Sequence, residues 1–307
     1  MAKKSYKGPK MEPAVMRMSF DLNADIQYLD LSQCASILNR RFYKQGIQWA
    51  VAGITFVDTD GTANGNITVE TLPTTWVVGQ AWKKSKDAWD RMNEEAMEFA
   101  EGVKPRYYDY KIHFDQTHTA TDFSNNILPR GFNNTQVGEW LPSEFVIPDQ
   151  GTNVVTGFNV HMIDDDNANG KGLIKGYATS RALVFSPDPR TPDISSNWIS
   201  QVFNQGTLQT ARVLDDLESQ NDEPPYDDEY LGAGVLPTTG VGQLVDEVMF
   251  RGTAQRPSPG SRARIGGFTA PCGLIRIDQL AGSNIRMYVD LVPGTHRGYL
   301  CESMEDM

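Results

Sequence analysis

The chain has 307 residues, of which 39% are hydrophobic and 22% charged, enough for one large β domain or two ordinary ones and inconsistent with global disorder. A net charge of −11 excludes a protein that coats nucleic acid by bulk surface charge, so any phosphate contact must be local. Twenty-seven glycines and 17 prolines favour the many turns of a sandwich or barrel over a helix bundle.

The first twelve residues read as a flexible basic arm, with Lys3, Lys4, Lys7 and Lys10 and no acid before Glu12. Such an arm can track phosphates without fixed structure; it can equally serve as a solubility tail. The charged start is not followed by an apolar run, so no secretory leader is expected, and no apolar stretch is long enough to predict a membrane span.

Strands are predicted over 14–22 and 26–31 from their β-rich, partly alternating composition. The segment 39–53, NRRFYKQGIQWAVAG, places Arg40, Arg41 and Lys44 just before an apolar run. That run, 47–57, suits a strand buried on both faces. On an extended connector, Arg40 and Arg41 point to opposite sides, one toward a neighbour and one toward a local partner. The cluster is a candidate phosphate contact, with a structural ion pair as the alternative. DTDGTANGN (58–66) has the chemistry of a hairpin tip, and 67–72 resumes strand alternation.

The clearest helix is predicted at 81–102. Trp82, Trp89, Met92, Ala96 and Phe99 form one apolar stripe, and Gly102 is placed to end it. Residues 106–118 return to a period of two, with Tyr108, Tyr110, Ile112 and Phe114 on one face, and predict a half-buried antiparallel strand. Residues 119–151 read as loop. Strands are predicted again at 153–163 and 173–186. Residues 187–262 form a long irregular connection with helical stretches near 197–203 and 210–217; within it, 213–230 carries eight acids and no base. Strands at 264–278 and 285–293 close the chain. The pattern predicts a mainly β fold, a jelly-roll β-sandwich with long loops and one amphipathic helix between strands, in one domain over 13–307.

Signatures of catalysis are sparse. There is no phosphate-binding glycine loop, no HExxH and no GxSxG. His113 and His118 stand five apart rather than the two expected of ligands on one strand face, and read as surface or turn histidines. Asp165, Asn167, Asn169 and Gly170 match the start of a calcium loop, but its closing glutamate is replaced by Gly176. Asp164, Asp165 and Asn167 remain candidate ligands for a calcium ion between subunits; otherwise no cofactor is expected. Asp58 and Asp60 are a similar case, with a hairpin tip as the alternative. Cys34, Cys272 and Cys301 are odd in number and far apart, which supports neither a disulfide framework nor a zinc site.

Three stretches carry a family resemblance: NRRFYKQGIQWAVAG, WKKSKDAWDRMNEEAMEFAEGVKPRYYDYKIHFDQTH and GYATSRALV. Over residues 35–185 the chain resembles the capsid proteins of small circular Rep-encoding single-stranded DNA viruses of environmental and aquatic samples. The resemblance implies a non-enzymatic jelly-roll subunit that self-assembles into an icosahedral shell around single-stranded DNA, bound without sequence preference. It implies a virion protein assembled inside the host cell, with its basic arm turned inward. Lys3, Lys4, Lys7 and Lys10 then become arm residues, and Arg17, Arg40, Arg41 and Lys44 inner-surface candidates. The alternatives are a receptor- or carbohydrate-binding β-sandwich module and a hydrolase using paired carboxylates in 162–172 or 213–230.

Overall fold

Alternation with period two dominates the strands that build the core. In the computed structural model, which describes residues 13–23, 25–97, 109–131, 140–148, 155–167, 170–182, 242–253, 257–282 and 284–307, the elements run as follows. The chain forms β1 (Arg17–Leu22), β2 (Asp25–Asp30), α1 (Leu31–Asn39), β3 (Ile47–Asp58) and β4 (Asn64–Thr71). It continues through α2 (Trp76–Met97), α3 (Gln116–Thr121), β5 (Glu144–Pro148), β6 (Val155–His161), β7 (Gly170–Gly172) and α4 (Leu173–Ala182). It closes with β8 (Gln243–Arg251), β9 (Arg262–Ile265), β10 (Phe268–Ala270), β11 (Leu274–Gln279), β12 (Ile285–Leu291), β13 (Pro293–Gly294), β14 (Gly298–Tyr299) and β15 (Cys301–Ser303). The stretches 197–203, 210–217 and 213–230 lie outside the described residues.

The described residues gather into two compact units. The first comprises 1–71, 125–138 and 244–303. Its strands pair as a chain folded back on itself: β1 with β12, β2 with β11, β3 with β9 and β10, and β4 with β8. The pairs alternate between two sheets, one ordered β1-β12-β3-β10 with β9 and β15 also on β3, the other β2-β11-β4-β8. That interleaving is a jelly roll. Both sheets feed one core. Met18, Phe20, Trp49, Ile54, Phe56, Met287 and Val289 come from the first sheet, and Leu29, Ile67, Val69, Val248, Ile275 and Ile277 from the second.

β3 alternates rather than being buried on both faces as its apolar run suggests. Trp49, Val51, Ile54 and Phe56 are buried, whereas Ala52 is exposed and Thr55 and Val57 are half-buried. Alanine and valine are tolerated on a solvent face, so apolar composition overstated the burial. The register of β12 against β3 shifts between Asp290 and Leu291, opposite Gly53. Gly53 sits at φ +152°, where a Cβ would stand 2.7 Å from the Ile265 carbonyl oxygen. Glycine is required there by both the angle and the approach of β9.

α1 follows β2 directly, over a stretch for which the sequence pattern predicted no element. Asp30 caps it, its Oδ1 accepting from Ser32 N at 2.8 Å and Gln33 N at 3.2 Å. Ser32 in turn accepts from Trp49 Nε1 at 3.0 Å, tying the helix to the core strand. The tip after β3 is also built by a buried acid. Asp58 Oδ1 accepts from Gly61 N and Oδ2 from Ala63 N, at 2.9 and 2.8 Å, and Asp60 Oδ2 accepts from Asn284 Nδ2. These aspartates shape the hairpin.

The second unit comprises 72–124, 139–243 and 304–307. α2 begins five residues before the expected 81 and buries Val77, Val78, Ala81, Trp82, Ser85 and Ala88; of the expected stripe Trp82 is buried and Trp89 and Met92 are half-buried, while Phe99 and the expected stop at Gly102 lie outside the described residues. Trp82 and Trp89 pack on Tyr110, and Tyr110 meets Phe145 edge-on. β5, β6 and β7 form a three-stranded sheet, with β5 lying in a region expected to be loop.

Two predicted strands differ in this unit. The described part of 106–118 is extended only as far as Asp115, with a single bridge from His113 to His161, and then becomes α3. Every residue from Tyr110 to Asp115 is buried, so the alternation there did not mark a solvent face. Asp115 Oδ1 accepts from His118 N at 2.7 Å, and this cap starts the helix. Residues 173–182 form α4, in which Ile174 and Ala178, four apart, share the buried side. Scattered β-branched residues had outweighed Ala178, Ala182, Lys175 and Arg181, which favour helix.

Candidate nucleic-acid interface

The cluster of basic residues before β3 lies at the end of a helix, not on an extended connector. Arg40 is the C-terminal cap of α1 in the left-handed conformation, φ 51°, its N–H donating to Ser36 O. Arg40, Arg41 and Lys44 are exposed, while Tyr43 between them is buried. Tyr43 packs on Trp49 and Tyr299, at centroid distances of 5.9 and 5.5 Å. The aromatic ring thus serves the core, and the three cations face solvent.

The structure adds Arg297, which sequence reasoning missed. The Tyr43 hydroxyl donates to the Arg297 carbonyl at 3.2 Å and is also hydrogen-bonded by the Arg41 side chain. Arg297 Nη1 donates to Phe42 O at 2.5 Å. Arg297 and Gly298 both have positive φ, and His296 and Tyr299 exchange backbone hydrogen bonds around them, so the pair forms the tip of a tight hairpin. A Gly after a residue with a long side chain is a weak turn signal, and nothing in the chain between 44 and 297 announces their meeting.

The segment that leads into β1 is anchored beside this cluster. Val15 N donates to Asn39 Oδ1 at 3.0 Å, and Tyr299 Oη donates to Val15 O at 2.8 Å. Asn39 Nδ2 donates to the same tyrosine oxygen at 2.7 Å. Burial pushes the Tyr299 hydroxyl up to about 12, so it stays a donor throughout the physiological range. Lys3, Lys4, Lys7 and Lys10 lie outside the described residues.

Arg17, two residues beyond the anchor, points outward from β1. Its guanidinium makes a two-point contact with Asp290, at 2.5 and 2.9 Å, and lies 6.0 Å from the Tyr288 ring centroid. The hydrogen bond to Asp290 raises the arginine above its ordinary value and lowers the aspartate below its own. Asp21 on the same strand is held by Arg130 at 3.1 Å and Arg286 at 3.2 Å.

The calcium candidates hold their own loop together. Asp164 Oδ2 accepts from Gln116 N at 3.2 Å, Asp165 Oδ1 from Lys175 Nζ at 2.8 Å, and Asn167 Oδ1 from Gly170 N at 2.5 Å. Among the described residues, no group of three or more His, Cys, Asp or Glu side chains is arranged to hold a metal ion.

The histidines are not at the surface as expected. His113, His118 and His161 are buried in the second unit. His113 Nε2 faces Asp122 Oδ1 at 3.4 Å, whereas its Nδ1 is buried without a hydrogen-bond partner. Burial lowers the His113 ring to about 4, against the opposing pull of Asp122. His161 is lowered too, again by burial first. The His113 and His161 rings are neutral packing groups at pH 7. Lys84 donates to Ser180 Oγ at 2.7 Å in the same unit, but that hydroxyl donates to Tyr177 O at 2.7 Å and is not poised as a nucleophile.

Known proteins offer no guide here. The chain matches no family model, no curated protein and no solved structure.

Proposed function

We propose that this protein is a viral capsid protein that self-assembles into an icosahedral shell around single-stranded DNA. A jelly roll also serves lectins and cupins, so fold alone does not choose among functions. The observation that supports the capsid reading is the coupling of that fold to a basic arm. Asn39 and Tyr299 hold Val15, just before the edge strand β1, beside Arg40, Arg41 and Arg297, and the four lysines precede it in the sequence. The pattern resemblance over 35–185 points the same way. In this reading the protein is found in the virion, is assembled in the host cell, and has no catalytic role.

Size-exclusion chromatography and negative-stain imaging of the purified chain test the proposal. Closed particles with nuclease-protected DNA are expected, and deletion of residues 2–10 should lower the DNA content while leaving assembly intact. A monodisperse small species at high concentration and varied salt would sink it.

A receptor- or carbohydrate-binding module is the second reading. Trp76, 53% exposed at the start of α2, is the observation that favours it, since stacking aromatics recognise sugars. Glycan-array binding lost in Trp76→Ala, without particle formation, would select this reading.

A further inference from the structure

We propose that the outer face of the sheet containing β1, β12, β3 and β9 binds the sugar–phosphate backbone of single-stranded nucleic acid, with Tyr288 as a stacking platform for bases. This deepens the capsid reading by assigning a second DNA-contacting surface besides the arm.

The register defines which residues share this face. In one cross-strand row Asp21 stands opposite Arg286, Arg286 opposite Val57, and Val57 opposite Arg262. In the next, Ser19 is followed by Tyr288, Thr55 and Arg264. In the third, Arg17 is followed by Asp290 and Gly53. The alternate residues of these strands, including Phe20, Met287, Phe56 and Ile265, are buried in the core, so the residues in these rows face outward.

Arg17, Arg286, Arg262 and Arg264 therefore project from one surface, and Arg130 joins them through Asp21. Arg262 and Arg264 stand roughly 7 Å apart along β9, and Arg262 and Arg286 roughly 10 Å apart across two strand spacings. Long arginine side chains can follow successive phosphates over such intervals. Gly53 makes room on the sheet for Arg264, whose guanidinium lies within 3.6 Å of where a Cβ would be. The acids on the face are Asp21 and Asp290, each lying between arginines, with Glu302 at the margin on β15.

The opposite sheet is not alike. Its outward charges are Arg276 and Arg251 against Glu70, Asp278 and Glu247. A chain of net charge −11 thus concentrates an arginine majority on one sheet and an acidic majority on the other. The basic sheet is also the one whose edge strand carries the lysine arm. Tyr288 sits among the cations, with Arg17 over its ring and Arg286 hydrogen-bonded to its side chain. Cations around an aromatic ring match sequence-tolerant binding of single strands, in which phosphates and base faces are held together.

The test uses the full chain and a fluorescent oligothymidine, with affinity read by anisotropy across a salt series. Arg262→Gln combined with Arg264→Gln should weaken binding about tenfold and flatten the log–log salt slope by about 1.4, since each lost phosphate contact on a single strand removes about 0.7. Tyr288→Leu should weaken binding several-fold with the slope unchanged, because stacking releases no counterions. Unfolding midpoints should stay near the parent value in both variants. An unchanged slope and affinity in the double variant, with binding lost only on deletion of 2–10, overturns the proposal and leaves the capsid reading standing. Loss of heparin binding with oligothymidine binding intact also overturns it, assigning the face to sulfated polysaccharide. The expected losses in a protein that forms no particles would support the face and refute the shell.

Discussion

The hydroxyl of Tyr299 donates to the carbonyl of Val15 across 284 residues of sequence, at 2.8 Å. This buried phenol thereby ties Val15, two residues before β1, to the hairpin of β13 and β14, and Asn39 adds a hydrogen bond from the end of α1. Tyr299→Phe keeps the ring packing on Trp49 but removes the donor. The expected cost is about 1–2 kcal/mol, because Val15 O and Asn39 Nδ2 lose their partner. Limited trypsin digestion should cut faster at Lys10 and Arg17 in the variant than in the parent; equal rates would show that the arm root is held by other contacts.

Acid should destabilise the second unit through His113. Its folded value, about 4, lies below the ordinary 6.5, so the folded state takes up a proton less readily than the unfolded chain. Stability is therefore complete above pH 6.5 and declines as the pH falls toward 4, by about 3 kcal/mol in all. Urea unfolding monitored across that window should show the decline, and His113→Phe, which can keep the stack on Phe123, should remove most of it. A parent and variant with parallel pH profiles would place the acid sensitivity elsewhere.

Asp30 holds three donors while fully buried: Ser32 N, Gln33 N and Gln45 Nε2. Asp30→Ala removes the cap of α1 and takes one acceptor from the buried Gln45 amide, for an expected loss of about 2 kcal/mol. Thermal unfolding should report it, and amide exchange should accelerate across Leu31–Asn39 first.

Gly53→Ala should cost about 2 kcal/mol or more. The new methyl meets the Ile265 carbonyl oxygen, and φ +152° disfavours any side chain. Faster amide exchange in β9 should accompany the loss. A neutral substitution would mean that β9 can move away without penalty.

Some of this molecule is legible along the chain because it depends on local periodicity. Residues 14–22 and 285–293 alternate, and β1 and β12 pair there. The stripe of Trp82 and Trp89 marks α2, whose burial needs only one apolar side. Where periodicity and capping compete, the sequence misled. Residues 106–118 alternate, yet Asp115 starts a helix and both sides of the preceding segment are covered. Burial on two faces is a property of what packs against a segment, which its own pattern does not contain.

The candidate interface divides the same way. The lysines of the arm and the pair Arg40–Arg41 stand out because they are adjacent in the chain. Arg262, Arg264 and Arg286 carry no such mark, each being one polar residue in an alternating strand. Local patterning by itself determined the β class, the strands of period two and the amphipathic helix, because each follows from neighbours within a few residues. Only the tertiary structure decided that β1 pairs with β12, that Arg297 reaches Phe42, and that scattered arginines share one face. Those outcomes follow from strand register between segments hundreds of residues apart, where a shift of one position would turn every arginine on the strand toward the core.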